Sequence, residues 1–319
     1  MSGFTRRLPW DAVPLVVRGE VERAVAAGIL AARDVHGGMS PGPAAVLLLD
    51  DGRQVFAKLV TGALNERSLS LVRDEVAAYQ ALATVRPALP VPDLVAVVQC
   101  EQWLGLVTTL APGRTPGPPW AADAVPAVAA ACDVLATHLA PGALPPVLSR
   151  LPDLDGWAAL AADPTSLDEW EREHAVRCAR ASHGWRRWTA GTALAHHDVR
   201  CDNVLLDGAS VTFVDWAFAS AAAPWLDRAL LAADVVGSGV SHGSGAATDA
   251  VALALAVLDA APPEASRLVV AQVGMMRRNS TRPAPPNLPG FRGWQAARAR
   301  RSRPLVEALL ARLGDQAPA

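Results

Sequence analysis

Cysteine is scarce in this sequence, and the few that occur are far apart. None of the four, Cys100, Cys132, Cys178 and Cys201, forms a CxxC pair with another, which argues against a zinc site. The chain has 319 residues, of which 51% are hydrophobic, so it can bury a sizeable core without disulfide crosslinks. We therefore expect reduced thiols, and one large domain or two modest ones.

An excess of charge and a long apolar run are also missing. The 29 basic and 31 acidic residues leave a net charge of −2, which gives no field that would draw the chain to nucleic acid or to an anionic membrane. Arg6 and Arg7 resemble the start of a twin-arginine signal, but Pro9, Asp11 and Arg18 interrupt the apolar segment that should follow. No later run is suited to span a bilayer. These absences predict a cytoplasmic protein with a small-molecule partner, and they leave its oligomeric state open.

The first third of the chain alternates between helical and strand patterns. The predicted elements are helices over residues 10–34 and 66–83, and strands over residues 44–49, 54–60, 94–100 and 103–110. The turn residues Asp50, Asp51 and Gly52 separate the first two apolar strands, which is typical of a β-hairpin.

A dense cluster of proline and glycine at residues 111–119 separates this part from an alanine-rich, mainly helical remainder. We place a lobe boundary here, so that residues 1–110 form an N-terminal lobe and residues 111–319 form a C-terminal lobe. An extended stretch over residues 195–214 interrupts the helices of the second lobe. Those helices are predicted near residues 120–139, 154–162, 166–183, 225–236, 246–259, 264–276 and 292–313.

The extended stretch carries the most informative motif. His196, Asp198 and Asn203 form the pattern H-x-D-x-x-x-x-N, and a hairpin signal then leads to Asp215. Transfer of a phosphoryl group needs a carboxylate that orients and deprotonates a hydroxyl, and oxygen ligands that hold Mg²⁺ against the phosphates. Asp198, Asn203 and Asp215 supply that set. The alternative interpretation, in which these residues only cap a strand and a turn, leaves unpaired acids among apolar neighbours, which is costly.

These residues resemble the aminoglycoside phosphotransferase and choline kinase group, whose catalytic loop usually has the pattern H-G-D-x-x-x-x-N, with a later aspartate before an aromatic residue. The resemblance covers roughly residues 35–235. It implies an α+β, bilobal protein-kinase-like fold, with an antiparallel sheet in a small N-lobe and a larger, mainly helical C-lobe. It also implies that His196 organises the loop, that Asp198 is the catalytic base, and that Asn203 and Asp215 bind Mg²⁺. The implied reaction moves the γ-phosphoryl group of ATP or GTP onto a hydroxyl of a small molecule.

The same resemblance implies a phosphate-anchoring lysine and a glutamate partner in the N-lobe. Lys58 lies in the second strand of the predicted hairpin among apolar neighbours, and Glu75 lies on the apolar edge of the following helix. Glu66 is the less favoured partner. Taken alone, Lys58 is an edge-strand charge and Glu75 a solvated helix charge. Together with the later loop, we interpret both as nucleotide-binding residues.

Weaker signals complete the predicted site. Gly38 and Ser40 lie in a glycine-bearing loop whose backbone amides are expected to approach the phosphates, although many hairpins begin this way. Thr109 and Ala111 belong to the expected connection between the lobes, which by the resemblance recognises the nucleobase through backbone groups and so leaves ATP and GTP indistinguishable. Asp227 resembles the second acid of the family's D-P-x-x-D-L-A segment. It either braces the catalytic loop or is an acid favoured by the dipole at a helix N-terminus.

Departures from the family pattern concern the substrate. The glycine usual between histidine and aspartate is His197 here, and Arg200 begins the Arg-Cys-Asp segment that replaces the usual histidine-proline-glycine. We expect Arg200 to support the site by countering negative charge, whereas aminoglycoside-modifying members need an anionic surface for polycations. An acidic set lies where family members build substrate contacts, and it either attracts an amine or forms a solvated helix face. The set is Asp153, Asp155, Asp163, Asp168, Glu169, Glu171 and Glu173.

A proline-rich stretch near the end of the chain is the last feature. Residues 276–290 combine arginines with a segment too rich in proline to be helical. The stretch is either a lid over the substrate or a surface connection between two helices.

The predicted function is Mg²⁺-dependent phosphorylation of a small hydroxylated molecule by ATP or GTP. The family resemblance makes an aminoglycoside or related amino sugar the first expected acceptor. Phosphorylation of such an antibiotic implies a role in antibiotic resistance. Choline, ethanolamine, homoserine, a sugar or a nucleoside antibiotic are alternatives. Two other classes stay open: a non-catalytic kinase-like binding protein, which should have lost the base, a metal ligand or the lysine, and a metal-dependent phosphohydrolase, which needs further ligands beside the histidine pair. None of the kinase residues is missing.

Overall fold

The chain folds as two compact units that interleave along the sequence. The structure, a computed structural model, describes residues 6–85, 89–241, 249–286 and 288–314. The first unit, here called the sheet unit, comprises Met1–Gly113, Pro141–Leu144 and Thr212–Ala219, and the second, the helical unit, comprises Arg114–Ala140, Pro145–Val211 and Ser220–Ala319. The predicted lobes are each continuous in sequence, and their boundary at residues 110 and 111 stays a prediction.

The sheet unit is built on a five-stranded antiparallel sheet in the order β1-β2-β3-β5-β4. Its strands are β1 (Ile29–Asp34), β2 (Ala44–Leu49), β3 (Gln54–Thr61), β4 (Leu94–Cys100) and β5 (Trp103–Thr109). The β2–β3 hairpin forms where it was predicted, and Gly52 takes a left-handed φ of 85° at its turn. Lys58 pairs with Ala44 on one side and Leu106 on the other. It therefore lies on the central strand, and the alternative of an edge-strand charge is wrong.

Residues 10–34 contain less helix than predicted. Helix α1 (Leu15–Val25) ends at Ala26, whose left-handed φ of 54° turns the chain, and β1 follows. The helical prediction is therefore wrong from residue 26 onward. The Glu22 carboxylate accepts a hydrogen bond of 2.9 Å from the Ile29 amide and ties the start of β1 to α1. Pairing with β2 satisfies the backbone of β1, so tertiary contacts override the local helical spacing.

Helix α2 (Glu66–Leu82) covers the part of the sheet that carries Lys58. It begins at Asn65, whose side chain accepts a hydrogen bond of 2.7 Å from the Ser68 amide and so caps the first turn. Leu69 and Val72 of α2 are buried with Val60 of β3. Because side chains two residues apart on a strand share a face, Lys58 lies on the same face as Val60, toward α2.

The helical unit contains nine helices within the described residues. They are α3 (Ala124–Ala136), α4 (Gly156–Ala162), α5 (Glu169–Ser182), α6 (Trp185–Thr189), α7 (Leu226–Ser238), α8 (Ala250–Leu258), α9 (Pro263–Asn279), α10 (Phe291–Arg301) and α11 (Arg303–Leu313). Two short sheets accompany them, one pairing β6 (Trp120–Ala121) with β11 (Val240–Ser241) and the other pairing β7 (Ala193–Ala195) with β10 (Ser220–Ala222). The predicted extended stretch also contains β8 (Val204–Asp207) and β9 (Ser210–Phe213).

The end of the chain differs from the prediction in two places. The predicted helix over residues 292–313 is two helices that meet at Ser302, because Pro304 in the first turn of α11 lacks the amide hydrogen that a continuous helix needs. Residues 276–279 belong to α9, so the prediction of a non-helical segment is wrong there. Asn287 of that segment and the start of the helix predicted at residues 246–259 lie outside the described residues. Across the described ranges, every helix is too short or too polar to cross a membrane.

Candidate active site

A buried aspartate of α7 holds the backbone of the H-x-D motif. The two carboxylate oxygens of Asp227 accept hydrogen bonds from the amides of His196, at 2.7 Å, and His197, at 2.8 Å. Burial raises the pKa of Asp227, and the two amide hydrogen bonds oppose that rise. Asp227 contacts the loop directly, as the bracing hypothesis expected, and it also lies in the first turn of α7, where the dipole favours an acid.

His196 is fully buried and bonds to its own loop. Its Nδ1 accepts a hydrogen bond of 3.2 Å from the amide of Asp198, which requires that this nitrogen carry no proton. The contact fixes the peptide that precedes the Asp198 side chain.

His197 occupies a position where the family usually has glycine. Its φ of 69° is in the left-handed region, which a side chain adopts only at a cost of about 1–2 kcal/mol. The ring is buried, and its Nδ1 lies 3.2 Å from the Ser220 hydroxyl of β10. The two rare features of this residue, its conformation and its buried ring, are therefore supported by packing in the helical unit.

The structure brings Asp198 and Asn203 together. The Asn203 Nδ2 donates to the Asp198 carboxylate oxygen Oδ2 at 2.8 Å and to the Asp198 carbonyl oxygen at 3.0 Å. These two bonds fix the orientation of the amide group and leave its oxygen Oδ1 as the atom that can bind a ligand. The Asp198 side chain is 24% exposed, so it is held on one side and accessible on the other.

Arg200 lies beside the proposed base. Its guanidinium makes a bidentate contact with Asp202, at 2.9 Å and 2.5 Å, and its Nη1 lies 3.8 Å from the Asp198 oxygen Oδ2. Burial opposes protonation, but the charges of Asp198 and Asp202 outweigh it and raise the pKa of Arg200. A permanent positive charge therefore borders the Asp198 carboxylate.

The next residue of this loop, Cys201, is no candidate nucleophile. Burial raises the pKa of its thiol to about 12, and a thiol that is protonated at neutral pH is unreactive.

A second set of side chains meets in the sheet unit. The Lys58 ammonium Nζ lies 2.7 Å from the Glu75 oxygen Oε2 and 3.0 Å from the Asp215 oxygen Oδ1. Burial alone would lower the pKa of Lys58, but the two carboxylates outweigh it and raise that pKa. Lys58 therefore stays protonated at neutral pH, and Glu75 rather than Glu66 is its partner within α2.

Asp215 follows β9 in an unusual conformation. Its φ of 67° is left-handed, and it begins the short turn at residues 216–218. The Trp216 amide hydrogen-bonds to Glu75, and the Trp216 indole donates to the Phe213 carbonyl at 2.9 Å. The side chain of Asp215 is 44% exposed. The turn thus offers a carboxylate to solvent while its next residue is anchored on the helix that carries Glu75.

The remaining nucleotide-binding predictions fall on two places in the sheet unit. Gly38 has a left-handed φ of 74°, and the hydroxyl of Ser40 accepts a hydrogen bond of 3.3 Å from the Gly42 amide. Thr109 ends β5, and its amide donates to the Asp93 carbonyl at 2.9 Å. That amide is occupied within the sheet, so a nucleobase would have to bind another backbone group of this segment. The roles of Gly38, Ser40, Thr109 and Ala111 stay predictions.

One contact with the loop that carries the H-x-D motif was not predicted from the sequence. Asp234, two turns after Asp227 on α7, is buried, and its Oδ2 accepts hydrogen bonds from the amide of Cys201 at 3.1 Å and from the indole of Trp120 at 2.8 Å. Its other oxygen is paired with Arg298 of α10. The seven-residue spacing from Asp227 was the one available signal, because it places both acids on one face of a helix.

Comparison with known proteins decides between the hypotheses. The model of the phosphotransferase enzyme family (APH) matches residues 42–243, which is more than half of the chain. The chain belongs to the phosphotransferase enzyme family. Members of this family transfer phosphoryl groups to hydroxyls of small molecules, so the predicted enzyme class and the resemblance to aminoglycoside phosphotransferases and choline kinases are confirmed. The match favours a kinase over a phosphohydrolase. No curated protein sequence matches the chain.

Solved structures share the fold of this phosphotransferase at low sequence identity. A thermostable mutant of aminoglycoside phosphotransferase APH(4)-Ia, in a ternary complex with AMP-PNP and hygromycin B, has a TM-score of 0.55 and 15% identity, over 93% of this chain and 98% of its own. A choline/ethanolamine kinase family protein from Mesorhizobium loti has a TM-score of 0.54 and 16% identity, over 93% of this chain and 99% of its own. The amicoumacin kinase hAmiN, in complex with AMP-PNP, Ca²⁺ and Ami, has a TM-score of 0.53 and 12% identity, over 89% of this chain and 91% of its own. The predicted α+β protein-kinase-like fold is confirmed.

The donor chemistry of two side chains of the phosphotransferase fits Mg²⁺. Mg²⁺ prefers oxygen ligands and is usually bound by one or two protein side chains together with substrate phosphates. The Asn203 amide oxygen and the exposed Asp215 carboxylate are ligands of that kind. Among residues 6–85, 89–241, 249–286 and 288–314, no three His, Cys, Asp or Glu side chains are grouped to hold a metal ion by themselves.

Proposed function

We propose that this phosphotransferase moves the γ-phosphoryl group of ATP or GTP to a hydroxyl of a small molecule, with Asp198 as the catalytic base. The observation that supports this most directly is the Asp198–Asn203 pair. Asn203 orients the carboxylate through two hydrogen bonds, at 2.8 Å and 3.0 Å, while the side chain keeps 24% of its surface exposed. A general base must be both oriented and accessible to the proton that it removes.

His196 and Asp227 act on Asp198 through the backbone. Asp227 fixes the amides of His196 and His197, and the imidazole of His196 accepts from the amide of Asp198. The loop is therefore held at three successive amides before the base. A group held in this way needs little reorganisation when the hydroxyl proton is transferred.

Lys58 supplies a positive charge for the nucleotide phosphates. Its ammonium is fixed by Glu75 and stays charged because two carboxylates surround it. A phosphate oxygen that took the place of the Asp215 carboxylate beside Lys58 would keep the charge of the lysine neutralised. Asp215 would then be available as a metal ligand. Asn203 and Asp215 would then hold Mg²⁺, which neutralises charge on the phosphates when bound.

The acceptor is constrained by the charges of the helical unit. Four of the seven residues of the acidic set are paired with arginines, so the set is neither a free amine-binding surface nor a plain solvated face. The pairs are Asp153–Arg278, Asp155–Arg186, Asp168–Arg303 and Glu171–Arg277. Together with Arg200 beside the base, this neutralisation disfavours a polycation. We propose an acceptor with at most one amino group, such as a sugar, an amino alcohol or a nucleoside.

The test is phosphoryl transfer from ATP and from GTP with Mg²⁺ to a panel of acceptors, with the product identified by mass. The panel pairs polycationic aminoglycosides with sugars, amino alcohols and nucleosides. The proposal predicts a singly phosphorylated product from a sugar, an amino alcohol or a nucleoside. A product formed from aminoglycosides alone would contradict the proposed acceptor class while supporting the reaction. Nucleotide binding without transfer to any member would favour the non-catalytic alternative.

A further inference from the structure

The segment before α1 lies along the predicted phosphate loop. Within residues 36–42, the carbonyls of Gly37 and Gly42 accept hydrogen bonds from the guanidinium of Arg7, and the carbonyl of Pro41 accepts a hydrogen bond of 2.9 Å from the Leu8 amide. The Trp10 amide donates to Asp34 at the end of β1, at 2.8 Å. Residues 7–10 are thus bonded to the loop at Gly37, Pro41 and Gly42, and to the strand that precedes it.

Arg7 makes the central contacts of this segment. Its Nε donates to the Gly37 carbonyl at 2.7 Å, and its Nη1 donates to the Gly42 carbonyl at 3.0 Å. The planar guanidinium therefore joins the two ends of the loop, a geometry that the single ammonium of lysine does not reproduce. Its Nη2 lies so close to Gly38 that a Cβ on that residue would overlap it.

The bond to the Gly37 carbonyl determines which way the Gly38 amide points. In a trans peptide the carbonyl and the amide hydrogen point in opposite directions. Since the Gly37 carbonyl faces Arg7, the amide hydrogen of Gly38 faces away from it. Gly37 and Gly38 both have left-handed φ angles, 103° and 74°, a conformation that glycine adopts without the steric cost that other residues meet.

The end of the same loop packs against β3, the strand that carries Lys58. Gly42 lies directly against β3, since an added Cβ would collide with the Leu59 carbonyl oxygen and come within 3.2 Å of the Val60 Cβ. The Leu59 amide donates to the Pro43 carbonyl at 3.0 Å. The charges of Asp215 and Glu75 also act on Arg7 and partly offset the effect of burial, which lowers its pKa. Arg7, the loop and the Lys58 cluster therefore form one continuous set of contacts in the sheet unit.

We propose that Arg7 is a positioning residue for the nucleotide: by holding the carbonyls of Gly37 and Gly42, it keeps the loop beside Lys58 in the conformation that binds the triphosphate. The inference rests on the proposed function, because it assigns a residue to the nucleotide site of that reaction. Arg7 lies before the region that matches the family model, which begins at residue 42. Its contribution thus belongs to a part of the chain that the family pattern does not describe.

The test compares Arg7→Met with the matched control Arg6→Met, since Arg6 is the neighbouring arginine and is exposed. Loss of hydrogen bonds from a charged group predicts that Arg7→Met raises KM for ATP about tenfold to hundredfold with a smaller change in kcat. Affinity for ATP should fall while affinity for adenosine stays the same, a distinction that a merely structural role would not produce. Arg6→Met should match the wild type. Arg7→Lys should restore only part of the ATP affinity, and it serves as the test variant if Arg7→Met does not fold.

Three results would overturn the inference, and they are distinguishable. Unchanged KM and ATP affinity in Arg7→Met, with an active wild type, would remove the role of Arg7 and leave the proposed function standing. Equal losses of ATP and adenosine affinity would likewise assign Arg7 to general stability. A wild-type chain that binds neither ATP nor GTP would overturn the proposed function and this inference together.

Discussion

At the scale of single residues, strained backbone occurs next to Asp198 and at Asp215 itself. His197, just before Asp198, and Asp215 itself have left-handed φ angles of 69° and 67°. Each costs of the order of 1–3 kcal/mol and persists only where the surroundings over-determine it. Here the surroundings are the hydrogen bonds of Asp227 and Ser220 in one case and the Glu75–Trp216 contact in the other. Such outliers cluster at functional sites, which supports the proposal that these residues carry the reaction.

The pairing of Lys58 with Glu75 gives a prediction at this scale. Glu75→Gln removes a charge that fixes the ammonium at 2.7 Å, and we expect kcat/KM to fall by up to roughly 100-fold, since a displacement of about 1 Å can cost that much. Glu66→Gln on the same helix is the matched control, because Glu66 is exposed, and it should stay near the wild-type value. Steady-state kinetics measure both. A larger loss in Glu66→Gln would instead favour the partner that the sequence ranked second.

Residue types were predictable from sequence where chemistry restricts them. The spacing of His196, Asp198 and Asn203 predicts the loop because phosphoryl transfer needs a base and oxygen ligands at set positions. Arg7 was not predicted because a lone arginine has no local signal, and Asp234 was not predicted because its spacing from Asp227 indicates only a shared helix face. Their contacts join residues 30 or more positions apart, which only the fold brings together.

At the scale of elements, α7 anchors the loop that carries the H-x-D motif at two points. Asp227 in its first turn binds the amides of His196 and His197, and Asp234 two turns later binds the amide of Cys201. Asp234 is also paired with Arg298, so α10 is coupled to the same loop. Both carboxylates are almost fully buried, and a buried acid is retained only with such partners.

This arrangement predicts a large loss of stability in Asp234→Asn. Breaking a buried ion pair from one side costs about 3–5 kcal/mol, because the partner charge is left buried and unpaired. Asp133→Asn is the control, since the pair of Asp133 with Arg228 involves a side chain that is 52% exposed, and a surface pair contributes about 0–1 kcal/mol. Urea unfolding gives both free energies. Adding Arg298→Met to Asp234→Asn should recover part of the loss, and equal losses in the two single variants would contradict the account.

Elements were predictable where a turn signal and a hydrophobic period agreed. The β2–β3 hairpin around Gly52 and helix α2 have the predicted positions. β1 was taken for helix because its residues 29–34 contain little alternation, and its strand state depends on pairing with β2. The division of residues 292–313 into α10 and α11 depends on Pro304, whose effect inside an otherwise helical pattern was overlooked.

At the scale of the whole molecule, residues outside the family match contribute contacts to it. The family model matches residues 42–243. Arg7 and Arg298 lie outside that range. Arg7 donates to the carbonyl of Gly42, the first matched residue, and Arg298 is paired with Asp234, which binds the Cys201 amide. The fold class was predictable from the motif, whereas these attachments were not, because they belong to segments that the family pattern does not cover.

The central claim concerns Asp198, and the most direct measurement is the rate of phosphoryl transfer in Asp198→Asn, with an accepted substrate and product mass as the readout. Asp207→Asn is the control, because Asp207 is an exposed carboxylate at the end of β8. Loss of a general base predicts a fall in kcat of about 10²- to 10⁴-fold, with ATP affinity nearly unchanged. Asp207→Asn should retain wild-type turnover. Full turnover in Asp198→Asn would contradict the proposed mechanism.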